Sequence, residues 1–254
     1  MDQTVPTGLI GLSRSPFDKT IDRFQVFGER RSGTNFAEAL LREGTTLTKT
    51  NFGWKHGIPS YPVLPASCLF VVIVREPVDW ICRLYSAPFE VHGSVRNLPL
   101  GEFIRAEWES VYKPAAAHWP QKGFSRNARL GARETLQLDR HPIEGRRFRN
   151  VVELRNVKTR GFLSFLERDV NAAVLRYEDL RADPDGILKT LLQSFGIDAS
   201  GKRFDPGRRA GPKAQRHVDR DALTAEDLEF IRSELDLEQE RRCGYTLPPG
   251  AGRA

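Results

Sequence analysis

The order of patterns along this chain predicts an α/β fold: three layers, with helices on both sides of a central, mostly parallel sheet. Three observations carry that expectation. Short apolar segments alternate with stretches of helical period. The run Leu69 to Val74 (LFVVIV) is continuous and rich in β-branched residues, as in a parallel strand covered on both faces. A loop bounded by Gly28 and Gly33 joins the first strand signal to the first helix signal. No internal repeat and no Gly/Ser linker interrupts the chain. A single domain over 1–254 is therefore expected, with residues 1–22 as a lead-in and the core at roughly 23–246.

Phe24 to Phe27 (FQVF) gives the first short strand, and Thr34 to Arg42 (TNFAEALLR) a helix with Phe36, Leu40 and Leu41 on one face. Asn51 to His56 reads as a second short strand. After Leu69–Val74 comes Arg75-Glu76-Pro77, where Pro77 is placed to open a helix. Residues 100–112 and 157–168 read as helices. Ala172 to Arg176 (AAVLR) is another buried strand, and Pro184 to Phe195 a helix with proline in its first turn. Thr224 caps a final long helix, with Asp227 in the capping-box position. Residues 119–149 and 200–220 are basic and irregular, and read as loops.

Composition excludes several classes. Hydrophobic residues make up 39% and charged residues 28%, the balance of a globular chain and not of a disordered one. The three cysteines, Cys68, Cys82 and Cys243, include no C-x-x-C pair, so neither a disulfide framework nor a structural zinc site is expected. The longest apolar run, Cys68 to Val74, is far short of the ~20 residues that cross a bilayer. The N-terminal stretch lacks the pattern of a signal peptide, and a soluble cytoplasmic protein is expected. Thirty-nine Lys+Arg against 33 Asp+Glu give a net charge of +6. That charge suits an anionic ligand, a nucleic acid or an acidic membrane surface equally well.

Gly28 and Gly33 have the spacing of a phosphate-binding loop, which turns backbone N–H groups toward one point at the positive end of a helix. A nucleoside-triphosphate site has Lys and then Ser/Thr after the second glycine; here Thr34 and Asn35 stand there. The loop instead offers Arg30 and Arg31 as cations. The two glycines taken alone also suit a plain tight turn.

Arg31-Ser32-Gly33-Thr34-Asn35-Phe36 resembles the 5′-phosphosulfate loop of sulfotransferases that use 3′-phosphoadenylyl sulfate (PAPS). Arg75-Glu76-Pro77-Val78-Asp79 is similar to that family's 3′-phosphate motif. Arg176-Tyr177-Glu178-Asp179-Leu180 is similar to its (R)YEDL segment, and Glu234 to Tyr245 to a common ending. The likeness runs from about residue 24 to 245. It implies a P-loop-like sulfotransferase fold and PAPS as sulfuryl donor. It also implies adenosine 3′,5′-bisphosphate (PAP) as product, and no metal. The cofactor residues it implies are Arg30, Arg31, Ser32, Gly33, Thr34, Asn35, Phe36 (an adenine-stacking ring), Arg75 and Tyr177. Two departures concern the 3′-phosphate. Eight residues after Arg75 the family commonly has Ser, whereas this chain has Arg83, with Ser86 further on; Lys213 and Arg216 only loosely echo a distal basic segment.

Sulfuryl transfer to a hydroxyl or an amine needs an in-line acceptor, a base, and a cation on the leaving bridging oxygen. His56 is the candidate base, and Lys55 or Arg31 the cation, because strand ends face the ligand crevice of an α/β sheet. Adjacent strand residues point to opposite faces, so Lys55 and His56 serve together only if the strand has already ended. The other histidines, His92, His118, His141 and His217, lie in irregular polar segments and read as surface residues. An acceptor, a carbohydrate or other small polar molecule, would meet residues 84–135, with Phe89, His92, Trp108, Tyr112, Trp119, Arg126 and Arg129. A helical cap over the sheet is the plainer account of that stretch. Two other classes compete: a P-loop kinase of a small metabolite, and a non-catalytic basic nucleotide- or nucleic-acid-binding protein. No helix-turn-helix, zinc or RNP-type signature supports nucleic-acid binding.

Overall fold

The computed structural model describes residues 8–61, 63–112, 136–205, 207 and 216–247. Seven strands are described: β1 (Leu9–Ser13), β2 (Arg23–Phe27), β3 (Thr48–Lys49), β4 (Cys68–Val74), β5 (Ser110–Tyr112), β6 (Leu136–Leu138) and β7 (Ala172–Arg176). The helices around the central sheet are α1 (Thr34–Gly44), α2 (Pro77–Ser86), α3 (Gly93–Arg96), α4 (Leu100–Arg105) and α5 (Val151–Leu163). They are followed by α6 (Tyr177–Ala182), α7 (Pro184–Phe195), α8 (Ala225–Glu234) and α9 (Leu237–Arg242). The fold is mixed α/β.

The central sheet has the order β1-β7-β4-β2-β3. All neighbours are parallel except β1, which runs antiparallel along β7. β4 lies inside and is wholly buried, as its unbroken apolar run requires. Its side chains alternate between two cores. Leu69, Val71 and Ile73 meet α1, α6 and α7 through Phe36, Leu40, Leu180 and Ile187. Cys68, Phe70, Val72 and Val74 meet Phe162 and Leu163 of α5, Phe165, Cys243 and Tyr245. A third cluster joins α2, α4, α5 and α8 around Trp80, Phe103, Trp108 and Phe148.

This topology places the site. The chain leaves β2 for β3 on one side and leaves β4 for β7 on the other, so a crevice opens at the carboxyl ends of β2 and β4. Gly28 and Arg75 are the residues that follow those two ends.

Several expectations are corrected. The lead-in supplies β1, which covers the β7 edge that would otherwise be open. Asn51–His56 is not a strand; pairing stops at β3, just before it. The reason is local: Gly53 has φ +139°, and the Gln25 carboxamide takes the backbone polar groups, accepting from Phe52 N at 2.5 Å and donating to Gly53 O at 3.3 Å. The helix expected over 100–112 ends at Arg105, where Trp108 pairs with Phe148 and β5 begins. The helix expected over 157–168 begins at Val151, capped by the Asn150 side chain, and gives way to a 3₁₀ turn over Ser164–Glu167. β6 falls inside the stretch read as loop. The last helix is broken at Leu235–Asp236 into α8 and α9, although the Thr224–Asp227 capping box forms as expected.

Candidate functional site

The loop after β2 is held at its base by Gly28 N–H donating to Lys55 O at 3.1 Å. It is tightened by the Ser32 hydroxyl donating to Glu29 O at 2.7 Å. Arg31 (φ +69°) and Gly33 (φ +102°) are both left-handed. Gly33 occupies the N-cap of α1, where no side chain caps the helix and no acidic residue stands in the first turn. The start of α1 follows the carboxyl end of β2, and no side chain caps its first-turn N–H groups, of which Phe36 N donates to Gly33 O at 3.0 Å. Gly33 is required twice over: a Cβ there would meet the Tyr177 ring at 2.2 Å, in a conformation that L side chains avoid. Gly33→Ala is expected to cost about 1–3 kcal/mol of stability, read from a denaturant midpoint. An unchanged midpoint would show that the loop has another conformation available.

Three guanidiniums gather in front of this loop. Arg75 donates from Nε to Asp79 at 2.5 Å and from Nη1 to the Arg31 carbonyl at 3.1 Å. Its guanidinium lies over the Tyr177 ring at 4.3 Å, so Tyr177 fills the space between Gly33 and Arg75. Arg83, one helical turn beyond Asp79 on α2, approaches the other Asp79 oxygen at 3.5 Å. Its Nε is shielded from solvent and has no hydrogen-bond partner. Burial, followed by the charges of Arg75 and Arg83, draws the Arg31 pKa down. Asp79 is the one carboxylate paired with Arg75 and Arg83, and Arg31 pairs with none among the described residues. Such an excess of positive charge beside a helix N-terminus favours an anion.

Lys55 and His56 diverge from the end of the irregular segment. Lys55 Nζ lies over the first turns of α1, donating to Asn35 at 2.6 Å and Glu38 at 3.0 Å. His56 turns the other way, with Nδ1 2.7 Å from the Gly28 carbonyl. A carbonyl can only accept, so Nδ1 carries the proton and Nε2 keeps its lone pair. Burial, and then the charge of Lys55, pull the His56 pKa well below 6.5, against the hydrogen bond to Gly28, which raises it. His56 is thus expected to stay neutral in the Nδ1–H form as pH falls through 6.5, as an NMR titration of its ring nitrogens would report. The unfolded chain binds a proton here as pH falls through about 6.5 and the folded chain does not, so this group withdraws stability on acidification. An imidazole midpoint at 6.5 or above would contradict this half-buried placement beside Lys55.

Arg30 departs from its expected role. Its side chain is 1% exposed and points away from the arginine cluster into an interior charge network. There it meets Glu29 at 3.2 Å, Glu90 at 3.7 Å, and Asp139 in close contact. Lys158 of α5 completes the network, holding Glu29 Oε2 at 2.6 Å, Asp139, and the His56 carbonyl at 2.7 Å. Burial pushes the Asp139 carboxyl up, but Arg30 and Lys158 outweigh it and keep Asp139 below the usual carboxylate range. Burial raises Glu90 to about 6 despite Arg30 beside it. Glu90 (φ +62°) and Asp139 (φ +50°) join Arg31 as the non-glycine residues with left-handed φ among those described, and all three adjoin this loop. Strained backbone of that kind collects at functional sites. Sequence spacing gave no hint of the network, in which Glu29 and Arg30 meet Glu90, Asp139 and Lys158 from distant parts of the chain.

Other expected residues are placed elsewhere. Phe36 is 7% exposed and packs edge-on against Phe204 at 5.1 Å, so it is a core residue of α1 and offers no face for stacking. Thr34 and Ser32 are buried within the loop. Arg216 spends its guanidinium on the carbonyls of Tyr85 (2.9 Å) and Arg96 (2.6 Å), at the far end of α2 from Arg75. Ser86 bonds to Cys82 and Val218 and stays buried. Lys213, His118, Trp119, Arg126 and Arg129 lie outside the described residues. Of the aromatic residues expected around an acceptor, Trp108 is wholly buried with Nε1 donating to Asp139 at 3.3 Å, while Phe89 is 43% exposed. His92 caps α3. The (R)YEDL residues are bracing: Arg176 pairs with Asp179 at 2.7 Å, and Glu178 accepts from the Tyr245 hydroxyl at 2.8 Å.

No helix of the described residues is long and apolar enough to cross a membrane. No protein-family model matches the chain, and no curated protein matches it.

Proposed function

We propose that the protein is a sulfotransferase of P-loop-like fold that binds PAPS and passes its sulfuryl group to an acceptor. The observation that carries this reading is the cluster of Arg31, Arg75 and Arg83 against the uncapped start of α1. Its separate cationic centres suit a nucleotide with two anionic ends better than a single phosphate would need. The solvent-shielded Arg83 Nε, which lacks an acceptor, fits an incoming anion as well. The loop N–H groups and Arg31 would hold the 5′-phosphosulfate, and Arg75 and Arg83 the 3′-phosphate. Arg83 then does by charge what a hydroxyl does in similar sequences.

The donor supplies an activated sulfuryl group; the residues here orient it and manage charge and protons. Lys55, which donates to Asn35 and Glu38, would stabilise negative charge on the leaving oxygen. His56, fixed as the Nδ1–H tautomer, offers Nε2 as a proton acceptor. Thr34 in the lysine position of a triphosphate-binding loop argues against a kinase.

Thermal melts test the reading. With chelator present and PAP at one hundred times its Kd, stabilisation is expected to be ~2.7 kcal/mol. For a chain of this size that raises Tm by roughly 5–10 °C. No shift with PAP, together with a shift from ATP and magnesium, would put the kinase reading first.

A further inference from the structure

Four buried side-chain atoms of the interior network have no hydrogen-bond partner, Glu29 Oε2, Asp139 Oδ1, Arg30 Nη1 and Glu90 Oε2, and the first two are met by a cation. Three carboxylates, Glu29, Glu90 and Asp139, face two cations, Arg30 and Lys158, while His56 beside them is neutral. Lys158 lies at ion-pair distance from Glu29 Oε2 and Asp139 Oδ1. Ser110 Oγ and Trp108 Nε1 donate to the other Asp139 oxygen. What remains open is Arg30 Nη1, a donor with no acceptor, and Glu90 Oε2, an acceptor with no donor. They stand 3.7 Å apart, beyond hydrogen-bond reach, and their side chains are 1% and 8% exposed. Leaving such a pair dry costs free energy on both sides.

The chemistry of the gap selects what fills it. A carboxylate has no proton for Glu90, and an ammonium has no lone pair for Arg30. A hydroxyl accepts from Arg30 Nη1 and donates to Glu90 Oε2 at once. Glu90 is also at the edge of the network, next to the half-exposed Phe89, whereas Asp139 and Lys158 are sealed inside. We infer that the Arg30–Glu90 gap is a subsite for one hydroxyl of the acceptor, so that the acceptor carries a hydroxyl there, as an alcohol or a sugar does, and not an ammonium or a carboxylate. The inference rests on the sulfotransferase reading for the word acceptor; the hydroxyl site itself does not.

Crystals of the full chain soaked in glycerol at pH 7.5 test it. The expected result is a glycerol oxygen within about 2.6–3.2 Å of both Arg30 Nη1 and Glu90 Oε2, lost in Glu90→Leu crystals that keep the fold. Direct closure of Arg30 onto Glu90 would overturn the inference. So would a water that glycerol fails to displace, or glycerol bound only elsewhere. PAP titrated into the same Glu90→Leu protein is expected to bind within about twofold of wild type, since the two sites use different residues. A large loss of PAP affinity would place Glu90 on the donor side and overturn the assignment. If PAP binds neither protein while glycerol fills the gap, the sulfotransferase reading fails and the hydroxyl site stands.

Discussion

Lys158→Met is expected to lower the unfolding free energy by about 3–5 kcal/mol, the range found when one partner of a buried ion cluster is removed. The effect is large because Lys158, 1% exposed, is the common partner of Glu29, Asp139 and the His56 carbonyl. Without it the three carboxylates have only Arg30, and buried charge without compensation is what makes such deletions costly. Methionine keeps most of the volume, so packing loss contributes little. The same change frees the His56 segment from α5, and the low His56 pKa should move upward as the Lys158 charge disappears. Urea denaturation gives the first quantity and the NMR titration the second. A variant as stable as wild type would mean that water reaches the network and screens it.

Arg75→Ala is expected to weaken PAP binding about 10- to 100-fold, from the ~1.5–3 kcal/mol that hydrogen bonds to a charged group contribute. Arg75 sits on the end of β4, and its side chain is braced by Asp79, the Arg31 carbonyl and the Tyr177 ring. It is thus held in place before any ligand arrives, which lowers the ordering cost of binding. Removing it also takes away one of the two neighbours that hold the Arg31 pKa down. Stability should change far less than affinity, since Arg75 is partly exposed and Asp79 stays solvated. Calorimetry on both proteins separates the two effects. Equal affinities would remove Arg75 from the site.

The features that could be read in the sequence are those fixed by neighbours in the chain. β4 was legible because burial on both faces demands an unbroken apolar run, and the starts of α2 and α7 because proline suits a first helical turn. The loop and Arg75 were legible because glycine spacing and a charge at a strand end are local facts. Asn51–His56 misled because its strand-like composition is overridden by Gln25, a residue from another strand that takes its backbone hydrogen bonds. β1 was missed because only the open β7 edge makes a strand of it. Arg30 and Arg31 are alike in sequence, yet the left-handed φ at Arg31 sends them to opposite sides, one to the anion cluster and one to the interior. Lys158, Glu90 and Asp139 carry no local signal at all; their partners come together only when α5 and the paired strands β5 and β6 pack over the loop.

The central claim is that the three arginines and the start of α1 form one site for a nucleotide with phosphate at both 3′ and 5′ positions. The most direct test is a calorimetric titration of the wild-type protein, without metal, comparing PAP with AMP. The account predicts micromolar binding of PAP and binding of AMP weaker by about 100-fold, the share of two guanidinium contacts to the 3′-phosphate. Equal binding of PAP and AMP, or no PAP binding while ATP binds with magnesium, would contradict it.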